Sequence, residues 1–309
     1  MNHFSLLFTG VLSCLLQLQA FSQKAPNKIP EGVAIQRDIT FLESERAEKL
    51  DLYTPQPRQD DHPSPAVVII HGGGWVKGDK NREREFVTGT TLAQAGYVCI
   101  SINYETRKAH RWPNNLQDCK NAVRWLRVNA EKLKVDPENI GVIGGSAGGH
   151  LALMVAYTAN DPDLSPKQPY PGVSDEVKAC VNMYGISNLL TRKVTTEDGT
   201  PTEELKEHRL FPQSREEAPL KWRNASPVSR IDEKSPPTLS LHGTKDTTVD
   251  RDQSEELHQV LQAAGVESSL IRVKGAGHAW PLRTKKFDYT DEVTAFFNQH
   301  LRKSIRSTK

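Results

Sequence analysis

The sequence is poor in cysteine, with four cysteines in 309 residues. One of them, Cys14, belongs to the amino-terminal segment, and the other three are an odd number, so at most one disulfide can form and a disulfide framework is excluded. Buried free thiols are the expected state of Cys99, Cys119 and Cys180. Cys-x-x-Cys spacings and His/Cys clusters are also missing, so the sequence indicates neither a metal nor a cofactor.

A concentrated basic patch is missing as well. Forty Lys and Arg face 38 Asp and Glu, for a formal net charge of +2. This balance argues against nucleic acid as the main partner. Internal repeats and a second core are absent too, and 37% hydrophobic with 25% charged residues is typical of a globular protein. The sequence therefore predicts a single domain over residues 23–309.

The first 22 residues contain no Lys, Arg, Asp or Glu. A largely apolar run over 4–18 precedes Ala20-Phe21-Ser22, which resembles a small-x-small cleavage site. This pattern predicts a signal peptide ending near Ser22 and an exported chain without stable membrane insertion. Because positive charge is missing from the extreme amino terminus, an uncleaved anchor and a lipoprotein anchor through Cys14 stay open, although the apolar run is short for a span.

Strand patterns alternate with helical patterns along the rest of the chain. Residues 33–41 and 50–53 read as antiparallel strands. Apolar runs typical of parallel strands that are covered on both faces follow at 66–70, 97–102 and 139–143. Further strands are predicted at 177–184, 237–241 and 268–273. Helices are predicted between and after them at 81–95, 114–133, 150–157, 254–264 and 289–301. The alternation predicts an α/β fold with a mostly parallel central sheet and helices on both faces.

One long interval, 185–235, breaks this rhythm. It is polar and charged, with short apolar pieces only around Leu189 and Leu210. An insertion of this length between two strands is usually a functional loop or a small cap. We predict a cap-like insertion whose charges form a solvated face.

A glycine-flanked serine stands where one predicted strand meets a helix. Gly144-Gly145-Ser146-Ala147-Gly148 matches G-x-S-x-G, and strand, turn and helix are the context that this motif requires. A serine hydroxyl is a weak nucleophile until a histidine takes its proton and an acid orients that histidine. Without such partners Ser146 would be an ordinary residue of a strand-to-helix turn.

Three further segments follow predicted strands and offer those partners. His71-Gly72-Gly73-Gly74-Trp75 follows the first apolar run, where backbone N–H groups, with that of Ala147, can face a carbonyl oxygen. Residues 242–249 hold Asp246, and 274–280 hold His278. The order serine, acid, histidine is that of the α/β-hydrolase triad. Asp250 and Asp252 remain alternative acids, with Asp246 as a turn cap.

Together these motifs resemble the α/β-hydrolase superfamily. More narrowly, the chain resembles the hormone-sensitive-lipase-like esterases of the BD-FAE type, which include bacterial carbohydrate-acetyl and feruloyl esterases. The resemblance covers essentially the whole mature chain. It implies that Ser146 is the nucleophile, Asp246 the acid and His278 the base. The oxyanion donors that it implies are Gly73, Gly74 and Ala147.

The resemblance also implies an activity. The expected protein is a secreted serine carboxylic-ester hydrolase that works through an acyl-enzyme without a cofactor. Its substrates would be short-chain acyl esters on small molecules or polysaccharides, such as acetylated or feruloylated carbohydrate. The alternatives are an aryl formamidase or amidase, a peptidase, for which the usual accessory domain is missing, and a catalytically silent binding protein on the same fold.

Several aromatic and histidine residues near these motifs have two interpretations. Trp75 and Trp280, like Trp112, either line a substrate pocket or belong to the core. His71 is expected to be a hydrogen-bonding residue beneath the oxyanion loop. His150 and His242 are expected to pack or to support the site.

Overall fold

A computed structural model describes residues 28–57, 62–107, 111–195, 201–202 and 210–302. The predicted signal peptide and Cys14 lie outside the described residues, as does part of the 185–235 insertion. The central feature is an eight-stranded sheet.

The strands lie close to the predicted apolar runs. The strands of the sheet are β1 (Val33–Thr40), β2 (Lys49–Pro55), β3 (Ser64–Ile70), β4 (Val98–Ile102), β5 (Val135–Gly145), β6 (Ala179–Met183), β9 (Thr238–Gly243) and β10 (Ser268–Val273). A separate two-stranded ladder in the insertion pairs β7 (Val194–Thr195) with β8 (Pro201–Thr202). The strand order of the sheet is β1-β2-β4-β3-β5-β6-β9-β10. Strand β2 pairs antiparallel with β1 and β4, and the other neighbours are parallel. The predicted mostly parallel sheet is confirmed.

Helices cover both faces of this sheet. They are α1 (Glu83–Gln94), α2 (Asn114–Val128), α3 (Ala130–Leu133), α4 (Ala147–Tyr157), α5 (Pro219–Asn224), α6 (Asp252–Ala263) and α7 (Thr290–Leu301), with a 3-10 turn at Pro227–Arg230. The predicted helix 114–133 is in fact two helices, because the backbone leaves helical geometry at Asn129. The second helix ends where the backbone turns left-handed at Lys134, with φ of 51°. None of the helices described combines the length and apolar character that a bilayer span requires.

Side chains of β3 show how the sheet forms two cores. Successive residues of a strand point to opposite faces, so Val68 and Ile70 join the apolar cluster under α2, α4 and α6. Val67 and Ile69 join the cluster under α1 and α7. Each large side chain buried in this way stabilises the fold by about 1.5–3 kcal/mol. Three cysteines, Cys99, Cys119 and Cys180, are buried free thiols as predicted.

The parallel strands bring the predicted motifs to one edge. Strands β3, β5, β9 and β10 end at Ile70, Gly145, Gly243 and Val273. Because the carboxyl ends of parallel strands meet at the same edge, the loops that follow them come together there, as ligand sites of open α/β sheets do.

Candidate active site

Ser146 stands in a strained turn between β5 and α4. Its φ of 58° and ψ of −125° are far from the common regions for a residue with a side chain. Its N–H donates to the carbonyl of Met183 at 3.0 Å, which ties the turn to β6. Glycine is needed two residues later, since a Cβ on Gly148 would lie 2.2 Å from the carbonyl oxygen of Ile70. This close approach fixes the serine at the edge of the sheet.

A continuous hydrogen-bonded chain joins Ser146, His278 and Asp246. The Nε2 atom of His278 lies 2.9 Å from Ser146 Oγ. Its Nδ1 atom lies 2.6 Å from Asp246 Oδ2. Because the carboxylate accepts, Nδ1 carries the hydrogen and Nε2 is free to accept the serine proton. The structure thus brings together the three residues that the sequence singled out.

Asp246 is the carboxylate that contacts His278, and this contact favours it over Asp250 and Asp252 as the acid. Its second oxygen accepts the N–H groups of Thr248 at 2.9 Å and Val249 at 3.0 Å. Asp252 instead lies in the first turn of α6. One oxygen of Asp246 thus caps the turn while the other contacts the histidine, and the role of Asp246 as the acid stays a prediction.

The pKa values of the pair follow from burial and hydrogen bonding. Burial works to raise the pKa of Asp246, but hydrogen bonds from His242 and His278 outweigh it and hold that pKa well below the usual range. Burial lowers the pKa of His278, and the contact with Asp246 offsets only part of this effect. The carboxylate is therefore ionised and the imidazole neutral near pH 7, as a base requires.

His242 supports the acid from behind. Its Nδ1 atom accepts the hydroxyl of Ser254 at 2.7 Å, and its Nε2–H points at the carbonyl of Val249, 2.9 Å away. The same Nε2 atom lies 3.4 Å from Asp246 Oδ2. The predicted supporting role of His242 is confirmed.

The loop after β3 has the backbone geometry of a tight turn. Gly73, Gly74 and Trp75 all have positive φ, of 123°, 61° and 62°. A Cβ on Gly73 would lie 1.9 Å from the carbonyl oxygen of Lys77, so only glycine fits there. The oxyanion role of Gly73, Gly74 and Ala147 stays a prediction.

His71 supports this loop from below. Its Nδ1–H donates to the carbonyl of Gly72 at 2.8 Å, and its ring stacks on Tyr104 with centroids 4.2 Å apart. Burial lowers the pKa of His71 to about 4, so the ring is neutral near pH 7. The predicted hydrogen-bonding role is confirmed.

The two tryptophans proposed for substrate binding are almost completely buried. Trp75 is 1% exposed and Trp280 is 6% exposed. Trp75 Nε1 donates to His150 Nδ1 at 3.2 Å, and His150 Nε2 in turn donates to the carbonyl of Ala225 at 2.8 Å. Burial favours the core interpretation of both rings, and their contact with substrate stays a prediction. His150 packs, as expected.

Two residues that the sequence did not single out border the site. The ring of Tyr184 lies edge-on to His278, with centroids 4.9 Å apart. Arg84 is next to Tyr184 and is nearly buried. Tyr184 directly follows β6, so its place after a strand at the active edge was the available signal. Arg84 lies in a helix and gave none.

The sequence of this chain matches a known protein family. The BD-FAE family matches residues 50–261, more than two thirds of the chain. The chain belongs to the BD-FAE family. The matched span includes Ser146 and Asp246, whereas His278 lies beyond it. The family resemblance drawn from the four motifs is thereby confirmed.

Curated proteins are similar to most of the chain. Esterase LipC of Mycobacterium tuberculosis strain H37Rv is 33% identical over 221 residues, which are 71% of this chain and 54% of LipC. The chain spans about half the length of LipC and of two further curated relatives from the same organism.

Solved structures confirm the α/β-hydrolase fold of this BD-FAE member. A truncated form of a carbohydrate esterase from gut microbiota superposes with a TM-score of 0.74 at 24% identity, covering 91% of this chain and 100% of the other. Esterase Est2 of Thermogutta terrifontis with bound butyrate gives a TM-score of 0.69 at 27% identity, covering 87% and 94%.

Proposed function

We propose that this protein is a serine ester hydrolase that acts through an acyl-enzyme. The observation that carries the proposal is the hydrogen-bonded chain from Ser146 through His278 to Asp246, built on a strained turn. A buried, ionised carboxylate and a neutral imidazole are the protonation states that activate a serine. The esterase names of the relatives support the same activity.

The reaction follows from the positions of these atoms. Ser146 Oγ attacks the ester carbonyl carbon while His278 Nε2 takes the hydroxyl proton. The N–H groups of Gly73, Gly74 and Ala147 hold the resulting oxyanion, and each such donor typically contributes about 100- to 1000-fold in rate. The bond to the alcohol oxygen then breaks, and His278 returns the proton to that oxygen.

Water completes the cycle. His278 removes a proton from a water molecule that attacks the acyl carbonyl, and the bond to Ser146 Oγ breaks as the serine regains its proton. The products are a carboxylic acid and an alcohol. Asp246 keeps its charge throughout and stabilises the imidazolium that forms twice.

The proposed substrates are short-chain acyl esters, including acetylated or feruloylated carbohydrate. The motif resemblance gives this class, and butyrate in the Est2 structure is a short acyl group. The likeness to the gut carbohydrate esterase is one of fold.

We also propose export after cleavage near Ser22, which suits a polymeric substrate outside the cytoplasm. Amino-terminal sequencing of the protein secreted by its host checks this, and an intact Met1 would contradict it.

A substrate panel tests the function. Wild-type protein and Ser146→Ala are compared on p-nitrophenyl acetate, acetylated xylan, methyl ferulate and N-formylkynurenine. We expect ester hydrolysis by the wild type and a loss of about 10⁴-fold or more in kcat for the variant. A variant as active as wild type would refute the mechanism. Turnover of N-formylkynurenine without ester hydrolysis would instead show an aryl formamidase.

A further inference from the structure

Tyr184 holds the histidine loop at two points. Its ring lies edge-on to His278 and to Trp280, with centroids 4.9 Å and 5.2 Å apart. Its hydroxyl donates to the carbonyl of Trp280 at 2.5 Å. The backbone of Tyr184 is left-handed, with φ of 43°, and its N–H donates to the carbonyl of Leu241 at 2.8 Å. A side chain that served only as packing would not need the hydroxyl.

Arg84 holds the other side of that hydroxyl. Its Nη1 atom lies 3.4 Å from the Tyr184 oxygen. Its Nε donates to Glu85 at 2.7 Å, and Nη2 donates to the same carboxylate oxygen. The arginine side chain is 13% exposed and that of Glu85 is 1% exposed. An ion pair this deeply buried is expensive to desolvate, which makes it weak evidence for stability and a candidate for a positioning role.

The guanidinium also lies where two catalytic loops meet. A Cβ on Gly145 would be 2.6 Å from Arg84 Nη1, and one on Gly72 would be 3.1 Å from Nη2. Gly145 immediately precedes Ser146, and Gly72 precedes the predicted oxyanion donors. Glycine at both places lets the planar guanidinium rest on the backbone of both loops. Arg84 thus contacts the serine turn and the oxyanion loop, while Tyr184 contacts the histidine loop.

We propose that Arg84 and Tyr184 are a positioning pair that fixes His278 relative to Ser146 and the oxyanion loop. This inference rests on the proposed ester hydrolysis. Each residue acts through the backbone or ring that it touches. A displacement of about 1 Å in such a site can cost about 100-fold in rate.

Three substitutions test the positioning role of Arg84 and Tyr184. Tyr184→Phe keeps the ring and removes the hydroxyl, Arg84→Lys keeps the charge and removes the planar contacts, and Arg84→Met removes both. Two matched controls lie away from the site. Tyr157→Phe removes a buried hydroxyl that lies 2.8 Å from Thr238 Oγ1, and Arg127→Lys removes loop contacts to Ser174 and Glu176.

The measurements are kcat and KM on p-nitrophenyl acetate between pH 5 and 9, together with thermal unfolding. For Tyr184→Phe and Arg84→Lys we expect kcat to fall about 10- to 100-fold at nearly unchanged KM, with Tm losses like those of the controls. Arg84→Met should lose at least as much kcat as Arg84→Lys, because it lacks the same planar contacts. If Arg84→Met does not fold, the other two variants decide.

Values of kcat within twofold of the controls for both Tyr184→Phe and Arg84→Lys would overturn the positioning role. Failure of the proposed function looks different, because the wild type would then hydrolyse no ester or Ser146→Ala would match it.

Discussion

At the scale of single residues, Ser146 is held in a conformation that costs of order 1–3 kcal/mol. The surroundings that maintain it are specific, since the N–H bond to Met183 and the contact of Gly148 with β3 leave the turn no room to relax. The result is a hydroxyl within hydrogen-bonding distance of His278. The strained backbone of Ser146 and the contact of its hydroxyl with His278 Nε2 thus depend on the same turn.

The acid gives the sharpest prediction at this scale. Asp246→Asn should lower kcat about 10³- to 10⁴-fold, because an amide at this position stabilises the wrong tautomer of His278 and cannot balance the imidazolium charge. Steady-state kinetics on p-nitrophenyl acetate measure the effect. Asp250→Asn is the matched control and should change kcat by less than about threefold, since the carboxylate that contacts His278 Nδ1 is that of Asp246. The opposite ranking would reassign the acid.

Individual residues differ in how far the sequence predicts them. Ser146, Asp246 and His278 could be predicted because each follows a strand at a spacing that the motif order specifies. The burial of Trp75 and Trp280 could not be predicted, since an aromatic residue after a strand fits a pocket and a core equally well. The position of Arg84 could not be predicted either, because its contacts with Gly145 and Tyr184 depend on tertiary packing alone.

At the scale of elements, the insertion between β6 and β9 is fastened to the core by aromatic residues. Trp222 on α5 is fully buried, meets Phe211 edge-on at 5.0 Å and donates its Nε1–H to the carbonyl of Gln213 at 3.0 Å. Arg192 lies over the ring of Trp75, 5.5 Å from its centroid. The insertion therefore contacts the loop that holds the predicted oxyanion donors. Whether it closes over substrate as a cap stays a prediction.

Helix α5 offers a test of this attachment. Trp222→Ala should lower the free energy of unfolding by about 3–5 kcal/mol, because it removes a large buried side chain and leaves a cavity. Chemical denaturation followed by circular dichroism measures it. Leu220→Ala on the same helix should stay within about 0.5 kcal/mol of wild type, since Leu220 is 69% exposed. Equal losses for the two variants would show that the insertion is not anchored through Trp222.

Strands were predicted well in the interior of the sheet and at its β10 edge. Strands β3, β4, β6 and β9 are almost fully buried, and their predicted bounds differ from the observed ones by a few residues at most. The partly exposed edge strand β10 has the predicted bounds. The end of α2 was missed, because the apolar period continues through Asn129 and only the non-helical backbone of Asn129 reveals the break. Strands β7 and β8 carry too short a pattern to be seen.

At the scale of the whole molecule, one sheet edge collects the site from loops that are far apart in the chain. Ser146 and His278 are 132 positions apart, and His278 and Asp246 are 32 apart. Motif order predicted this assembly because parallel strands point their carboxyl ends the same way. The strand order itself, with β4 between β2 and β3, was not predicted, since no local pattern states which strands are neighbours.

Central to the proposed reaction is that Ser146 is a nucleophile made reactive by His278. Intact-mass and peptide mass spectrometry after reaction with a fluorophosphonate test this role most directly. We predict one adduct per chain, located on Ser146, absent from Ser146→Ala and formed at least about 100-fold more slowly in His278→Ala. An adduct on another residue, or a labelling rate that does not depend on His278, would contradict the claim.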